Sequence, residues 1–286
     1  MKQKRTKLFV IIDPESTHQV ALVKALLIAK LGNCHIHAFM CVYANIKKHP
    51  EASSRKGLKL RTLEDAEARL MELMKPCGLC DVPFTTELLW NSRWYEMALQ
   101  SVAKSDCDLV IKSSNHHSKA KRFFSKTSDY TLMRYCSCPI LFTHQSQEWG
   151  SDKILACVDL ESADPQHTRL NSVIIRNARA VAEIMGMDLC IASVYKKAID
   201  GSRFPIKVDE SHDIDKEFAR LYGVDPGNIY LRQGAVNETL VDICKEIDPS
   251  ILLIGSIART GIRGKLIGNT AEKLLDAVDA DVLTVN

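Results

Sequence analysis

A stretch near the end of the chain combines glycine, hydroxyl-bearing and basic residues in the way that a phosphate-binding loop needs. In chain order, its residues of interest are Gly255, Ser256, Ala258, Arg259, Gly261, Gly264, Gly268, Asn269 and Thr270. Glycines let backbone amides approach an anion closely, and the amides at the start of a following helix attract phosphate. The positive charges of Arg259, Arg263 and Lys265 favour an anion further. The chemistry predicted here is the binding of a phosphate-bearing ligand.

The same stretch also has a purely structural interpretation. Asn269-Thr270-Ala271-Glu272 has the spacing of a capping box, with Asn269 as the N-cap and Glu272 at the third helical position. Such a box satisfies the first amides of a helix without a ligand, although it can coexist with a binding site. The residues alone leave both interpretations open.

Two aspartates stand where the first strand of each half of the chain ends. Asp13 and Asp159 both follow an apolar run, and ligands enter open α/β sheets at this carboxyl edge. We assign a ligand role to Asp159, on condition that the glycine stretch binds, and a structural role to Asp13. The first half carries Lys112-Ser113-Ser114-Asn115 where the second has its glycines, and has no glycine from Leu79 to Trp149.

The other polar clusters favour structural roles. A basic run is typical of a solvated loop, although it could grip an acidic partner; its members are His116, His117, Lys119, Lys121, Arg122 and Lys126. Cys77 and Cys80 have metal-ligand spacing but lack the second pair that completes a zinc site, and Cys136-Ser137-Cys138 is likewise alone. His35 and His37 share one face of a strand, a pattern typical of hydrogen-bonded positions. The common hydrolase, P-loop and zinc-protease motifs are absent, so no catalytic residue is predicted.

Two copies of one unit must position these residues. The run Lys7-Leu8-Phe9-Val10-Ile11-Ile12-Asp13 returns as Lys153-Ile154-Leu155-Ala156-Cys157-Val158-Asp159, and Ile111 is matched to Ile254 in a later apolar run. We therefore predict two domains, 1–146 and 150–286, joined by a short polar linker from Gln145 to Asp152.

Each copy alternates strand-like and helix-like segments, which predicts a doubly wound α/β fold with a parallel sheet. The predicted strands are Leu8–Asp13, His35–Tyr43, Pro83–Trp90, Asp108–Lys112 and Pro139–Thr143, then Ile154–Asp159, Asp188–Tyr195, Ile229–Gln233, Ile251–Gly255 and Val282–Val285. The predicted helices of the first copy are Thr17–Leu31, Leu58–Lys75 and Ser92–Ser105. An apolar face is predicted on the first helix from Val20, Val23, Leu27 and Leu31.

These features together resemble the universal stress protein family. The resemblance lies in a first strand that ends in Asp, a second strand that ends in Val-Tyr, and the late glycine loop before a helix. The chain resembles a tandem member of the E type, since Gly268-Asn269-Thr270-Ala271-Glu272 and Arg259-Thr260-Gly261-Ile262 reproduce the pattern of that type. The resemblance covers residues 7 to 286.

The resemblance implies a five-stranded parallel sheet in each domain, a cytoplasmic stress response and, in some members, bound ATP. It implies that Asp159 contacts the nucleoside and that the backbone of Val194 holds the base. The phosphates would lie against Gly255, Ser256, Ala258, Gly268, Asn269 and Thr270. Ala258 stands where the family has a second glycine, and Asn269 stands where ATP-binding members carry Ser or Thr.

Composition narrows the class of protein. The 286 residues carry a formal charge of +3, with 46% apolar and 26% charged residues, values typical of a packed globular protein rather than a dedicated nucleic-acid binder. The apolar run behind the basic N-terminus stops at Asp13-Pro14, too short for a signal peptide or a membrane span. We expect a cytosolic protein that binds neither nucleic acid nor membrane, and whose ten cysteines are thiols.

Three functions remain open at this point. The first is a non-enzymatic binding or regulatory module of the stress response, with a phosphate-bearing ligand such as ATP in the second half only. The second is a slow ATPase of the related nucleotide-binding α/β class, and the third is a carrier of an apolar ligand between the two domains. Single-domain family members pair through their last strands. The resemblance therefore implies internal pairing of the strand near Ile140 to Phe142 with the strand near Val282 to Val285, and a homodimer is also open.

Overall fold

A computed structural model describes residues 5–114, 128–144, 149–162, 164–195, 214–256 and 269–286. The chain divides into two compact units, Met1–Glu148 and Trp149–Asn286, called here the first and second unit. Several regions singled out by the sequence lie outside the described residues: the basic run 116–126, the first half of the linker (145–148), and residues 257–268 of the glycine stretch.

The first unit contains a five-stranded parallel sheet. Its strands are β1 Thr6–Ile12, β2 Cys34–Val42, β3 Phe84–Trp90, β4 Leu109–Ser113 and β5 Ile140–Thr143. Their order across the unit is β3-β2-β1-β4-β5, so the chain winds outward from β1 first in one direction and then in the other. The central strands are almost wholly buried, as apolar strands covered on both faces are.

Four α-helices accompany this sheet in the described residues. They are α1 Val20–Leu31, α2 Arg55–Leu79, α3 Trp94–Ser105 and α4, which is described over residues 128–135. Helix α2 exceeds its prediction at both ends. It begins at Arg55 because the Ser54 hydroxyl accepts a hydrogen bond from Gly57 N–H at 3.0 Å. It continues past Pro76, which lies in the last turn, to Leu79.

The predicted buried face of α1 is wrong. Val23 and Leu31 are 39% and 51% exposed, whereas Lys24 is only 1% exposed. The helix is apolar nearly all round, so the spacing of its apolar residues does not specify which side faces the sheet. It also begins at Val20 rather than Thr17, because the Gln19 amide donates hydrogen bonds to the carbonyls of Asp13 and Ser16.

The second unit repeats this arrangement. Its strands are β6 Lys153–Cys157, β7 Asp188–Tyr195, β8 Ile229–Gln233, β9 Ile251–Gly255 and β10 Asp281–Val285. All are parallel, in the order β10-β9-β6-β7-β8. The helices of its described residues are α5 Pro165–Met185, α6 Ile214–Tyr222, α7 Val236–Ile247 and α8 Asn269–Ala277. The predicted doubly wound α/β fold is thus confirmed.

Helix α5 illustrates how local sequence sets these elements. The Asp164 carboxylate accepts a hydrogen bond from Gln166 N–H at 2.9 Å, and Pro165 occupies the first helical position. The helix ends at Gly186, whose positive φ of 65° is a left-handed conformation that favours glycine.

The strand registers show which residues of the two units correspond. Leu8 of β1 pairs with Leu109, and Ile154 of β6 pairs with Ile251. Counting from these pairs, Ser113 takes the position of Gly255, and Lys112 takes that of Ile254. The sequence-based match of Ile111 with Ile254 is therefore wrong by one residue, because apolar runs of similar composition align equally well in either register.

Candidate functional site

The second unit reverses its winding between β6 and β9. The chain passes from β6 to β7 and β8 on one side, and then returns to add β9 and β10 on the other. At such a switch point the loops that follow the two central strands lead away from each other and leave a crevice where ligands bind. The residues that follow β6 and β9 are therefore the candidates for a site.

Asp159 lies two residues beyond β6 and is held firmly by its neighbours. The amide side chain of Asn171, on α5, accepts from Asp159 N–H at 3.0 Å and donates to Asp159 C=O at 2.6 Å. One carboxylate oxygen, Oδ1, accepts hydrogen bonds from Glu161 N–H and Ser162 N–H, each at 3.1 Å. Asn171 therefore fixes the backbone, and the turn that follows fixes the carboxylate.

The second carboxylate oxygen of Asp159 faces a histidine. His167 Nδ1 lies 3.0 Å from Asp159 Oδ2, and Nδ1 must carry the donated proton because a carboxylate only accepts. Each carboxylate oxygen can accept two hydrogen bonds, so Oδ2 keeps room for one more donor. The Asp159 side chain is 45% exposed, which leaves this oxygen accessible to a hydroxyl of a ligand.

Val194 lies next to this turn, near the end of β7. The last ladder bond between β6 and β7 runs from Val158 N–H to Ala192 C=O at 2.9 Å. Backbone groups alternate in direction along a strand, so the N–H and C=O of Val194 point the same way as those of Ala192. Leu160 N–H would continue the ladder to Val194 but donates instead to Ser193 Oγ at 3.3 Å. In the described part of the chain, Val194 therefore makes no ladder bond to β6.

Gly255 ends β9 in close contact with helix α5. A Cβ added there would lie 2.8 Å from Leu170 Cγ and closer still to Leu170 Cδ2. Ser256 follows, buried, with its N–H donating to Val285 C=O at 2.8 Å. Its hydroxyl donates to Val285 C=O and to the Asn286 side chain, so it faces the end of β10.

The start of α8 completes the described part of this edge. The helix begins at Asn269, one residue earlier than the capping-box spacing predicts, and half-buried Thr270 lies in its first turn. Of the other predicted site residues, Ala258, Arg259 and Gly268 lie outside the described residues.

At the corresponding edge of the first unit, the side chains of the described residues bond to one another. Lys112 Nζ forms an ion pair with Asp129 Oδ1 at 2.7 Å, and these side chains are 11% and 5% exposed. Ser114 Oγ donates to the other carboxylate oxygen at 3.0 Å. Ser113, at the position of Gly255, accepts a hydrogen bond from Ala21 N–H through its hydroxyl at 3.0 Å. An anion approaching here would meet a lysine already neutralised by a carboxylate.

The pair Cys77 and Cys80 and the pair His35 and His37 are not arranged as metal sites. Cys77 is buried inside α2, whereas Cys80 is exposed at its end. His35 Nε2 and His37 Nδ1 both bond to Thr85 Oγ1, at 3.0 and 2.9 Å, and His37 Nε2 lies 3.0 Å from Glu87 Oε2. Within the described ranges, no three His, Cys, Asp or Glu side chains are placed to hold a metal ion, and no helix is long and apolar enough to cross a bilayer.

Sequence reasoning found the positions at this edge but missed three residues that organise it. These are Asn171, His167 and Ser193, which hold the backbone of Asp159, its carboxylate and the neighbouring Leu160. The sequence offered one signal, a side-chain amide in or just before the helix that follows the first strand of each unit. Gln19 holds the backbone of Asp13 in the first unit as Asn171 holds that of Asp159 in the second.

Comparison with known proteins defines the class. Residues 189–286, from the second residue of β7 onward, match the model described as the universal stress protein family. The match contains Val194, Gly255 and the glycine stretch. This part of the chain is thus a universal stress protein domain, in line with the family resemblance of its sequence motifs.

Relatives that match the full length refine this assignment. The chain is 24% identical to Universal stress protein E of Escherichia coli (strain K12), over 97% of this chain and 93% of that protein. A functionally unknown protein from Pseudomonas aeruginosa PAO1 is 25% identical and superposes with a TM-score of 0.77, covering 98% of this chain and 92% of that one. A universal stress protein from Archaeoglobus fulgidus DSM 4304 shares the fold, with 14% identity, a TM-score of 0.69 and 97% coverage of both chains. The predicted resemblance to the tandem E type is thereby confirmed.

Proposed function

We propose that this chain is a non-enzymatic binding or regulatory module of the stress response in the cytosol. In this proposal its second unit binds one phosphate-bearing ligand, ATP or a related nucleotide. The ligand lies at the carboxyl edge of β6, β7 and β9, with the phosphates against the glycine stretch.

The difference between the two equivalent edges carries the proposal. In the second unit, Asp159 Oδ2 keeps an open acceptor position, and the peptide groups of Val194 point past the end of the β6 ladder. A carboxylate suits ribose hydroxyls, and a strand backbone can pair with the edge of a base. In the first unit, Lys112 and Asp129 neutralise each other at the corresponding place.

Isothermal titration calorimetry of the full chain with ATP tests the proposal. We expect one site per chain, because only the second unit combines an accessible edge with glycines in its late loop. Two equivalent sites would contradict the assigned asymmetry, and no detectable heat at any concentration would contradict nucleotide binding itself.

A matched pair of variants locates the site. Asp159→Asn removes the charge that faces the ligand, and we expect about a tenfold loss of affinity or more, since a hydrogen bond to a charged group contributes about 1.5–3 kcal/mol. Asp13→Asn makes the same change at the equivalent position of the first unit and should leave affinity unchanged. Thermal melting of both variants controls for folding. Equal effects of the two substitutions would remove Asp159 from the site.

Two substitutions in the glycine stretch test the predicted phosphate position. Gly268→Val adds a β-branched side chain where the family resemblance requires close approach of the backbone, so it should abolish binding. Ala258→Gly restores the family pattern and should strengthen binding. Unchanged affinity in Gly268→Val, or weaker binding in Ala258→Gly, would contradict the assigned phosphate position.

The rate of phosphate release from ATP distinguishes the proposed binding module from an ATPase. Phosphate release should stay at the buffer background during hours of incubation with ATP at saturating concentration. Stoichiometric release within minutes would show an enzyme instead. An apolar molecule recovered by organic extraction and mass spectrometry of the purified protein would support a carrier.

A further inference from the structure

Three cysteines converge at the amino ends of β4 and β5, the sheet edge opposite the carboxyl edge of the first unit. Cys107 stands two residues before β4, and Cys136 and Cys138 stand just before β5. Cys107 Sγ lies 3.4 Å from Cys138 Sγ, and Cys136 Sγ lies 3.9 Å from the same atom.

The backbone brings these thiols together through two adjacent turns. Helix α3 ends at Ser105, and the next residue, Asp106, has a left-handed φ of 48° that turns the chain toward β4. Helix α4 ends in a hydrogen bond from Cys136 N–H to Leu132 C=O at 2.9 Å. The parallel ladder then begins with a bond from Val110 N–H to Pro139 C=O at 3.0 Å, which holds the two turns side by side.

The arrangement gives the sulfurs different acidities. A hydrogen bond from Cys138 lowers the pKa of the Cys107 thiol to about 7, against the opposing effect of burial. The hydrogen bonds that Cys138 makes to Cys107 and Cys136 raise the pKa of Cys138 itself. The lowered pKa favours the thiolate of Cys107 and the raised pKa keeps Cys138 protonated, which is the combination that thiol oxidation needs.

Access differs among the three thiols. Cys107 and Cys138 are half-buried, so a small oxidant can reach them, whereas Cys136 is buried. Elsewhere, burial raises the pKa of Cys77 and Cys190 to about 11 and that of Cys244 to about 12. Cys80 is exposed, but its near neighbour in sequence, Cys77, is buried within the helix. A hydrogen bond from Cys138 lowers the pKa of Cys136 as well, but Cys136 is buried, so Cys107 and Cys138 are the thiols of this group that an oxidant can reach.

We propose that Cys107 and Cys138 form a dithiol site that a peroxide oxidises to a disulfide. The Cys107 thiolate attacks hydrogen peroxide, becomes a sulfenic acid and, with a proton, releases one water. The Cys138 thiol then attacks the sulfenic sulfur, an S–S bond forms, and a second water leaves. Two thiols and one peroxide give one disulfide and two waters. The sulfurs must approach from 3.4 Å to about 2.05 Å, a small movement for two turn residues.

Peptide mapping of the full chain under non-reducing conditions tests this proposal. The reduced protein is treated with one to a few equivalents of hydrogen peroxide, alkylated and digested. We expect a cross-linked pair of peptides containing Cys107 and Cys138, about 2 Da lighter than the two reduced peptides together. A disulfide confined to Cys136 and Cys138, or no disulfide in the chain, would overturn the assignment.

Variants separate the two chemical steps. Cys138→Ser should block the disulfide and leave Cys107 as a sulfenic acid that dimedone traps. Cys80→Ser is the control at an exposed cysteine, and it should form the disulfide as the unsubstituted chain does. Should Cys138→Ser fail to fold, the unsubstituted chain still gives a test. Its Cys107 should react with iodoacetamide at pH 7 about tenfold faster than Cys80. Equal rates at the two thiols would contradict the proposed reactivity.

Discussion

Gly255 shows how one hydrogen atom in place of a side chain shapes the edge of the second unit. Its Cα lies against Leu170, so any Cβ would collide with the Leu170 side chain. Ser113 holds the equivalent position in the first unit and uses its hydroxyl to accept from Ala21 N–H. The same point in the fold is thus a close helix–strand contact in one unit and a hydrogen bond in the other.

We therefore expect Gly255→Ala to destabilise the protein by about 1–3 kcal/mol, the usual cost of overpacking. Chemical denaturation monitored by circular dichroism measures this. Gly32→Ala is the control, since nothing lies within 4 Å of the added Cβ there, and its free energy of unfolding should change by less than about 0.5 kcal/mol. Leu170→Ala should partly rescue Gly255→Ala. Equal effects of the two glycine substitutions would contradict the crowding.

His35 gives the first unit a pH-dependent contribution to stability. Burial lowers the pKa of His35, and the charges of His37, Arg5 and Lys7 lower it further. Below about pH 6.5 the unfolded chain binds a proton at His35 that the folded chain does not bind. The contribution of neutral His35 to the free energy of unfolding is therefore complete above this pH, and it is lost as the pH drops toward the lowered pKa.

This predicts a specific difference between the unsubstituted chain and His35→Gln. Glutamine can keep a hydrogen bond to Thr85 but does not titrate. The stability advantage of histidine over glutamine should be constant between pH 7.5 and 8.5 and smaller at pH 5.5, as measured by urea denaturation at each pH. A constant advantage down to pH 5.5 would show that the folded state does not resist protonation of His35.

Among the elements, strands were predictable and helix faces were not. The bounds of β7, β8 and β9 match their predictions. Strands β7 and β9 are central apolar runs, and β8, at the end of the order, is bounded by Asn228 and Gly234. The buried face of α1 was wrong because an all-round apolar helix carries no directional signal. At the candidate site, Asp159 and Gly255 could be placed from the sequence. The roles of Asn171 and His167 could not, because they depend on how the loop after β6 returns to α5.

An ion pair between Lys112 and Asp129 links β4 to α4, and breaking it should destabilise the protein. Lys112 and Asp129 are both nearly inaccessible to water, and removing one leaves the other charge buried without compensation. Lys112→Met should destabilise the protein by about 3–5 kcal/mol, whereas the double variant Lys112→Met with Asp129→Leu should be milder. Lys75→Met is the control, since Lys75 and Glu72 form an exposed pair that should contribute less than about 1 kcal/mol. Similar midpoints for the two single variants would mean that Lys112 and Asp129 are hydrated.

At the scale of the whole molecule, the two units have the same winding but differ in the chemistry of their carboxyl edges. Each unit has its own five-stranded sheet, and within each unit the last strand, β5 or β10, lies at one end of the order. A strand at the end of a sheet presents peptide groups that need a partner, and exposed strands of this kind invite association. The sequence predicts that the last strands of the two domains pair with each other. Such pairing would give each of these strands its partner within one chain.

Separate expression of residues 1–146 and 150–286 tests that pairing. We expect each half alone to be less stable than the full chain and to self-associate, because its last strand has lost the predicted partner. Size-exclusion chromatography with light scattering gives the mass of each half, and chemical denaturation gives its stability. Mixing the halves should yield a one-to-one complex at the expense of the self-associated forms. The full chain should unfold in a single transition. If each half is a stable monomer whose midpoint equals that of the full chain, the last strands do not depend on each other, and the internal pairing is wrong.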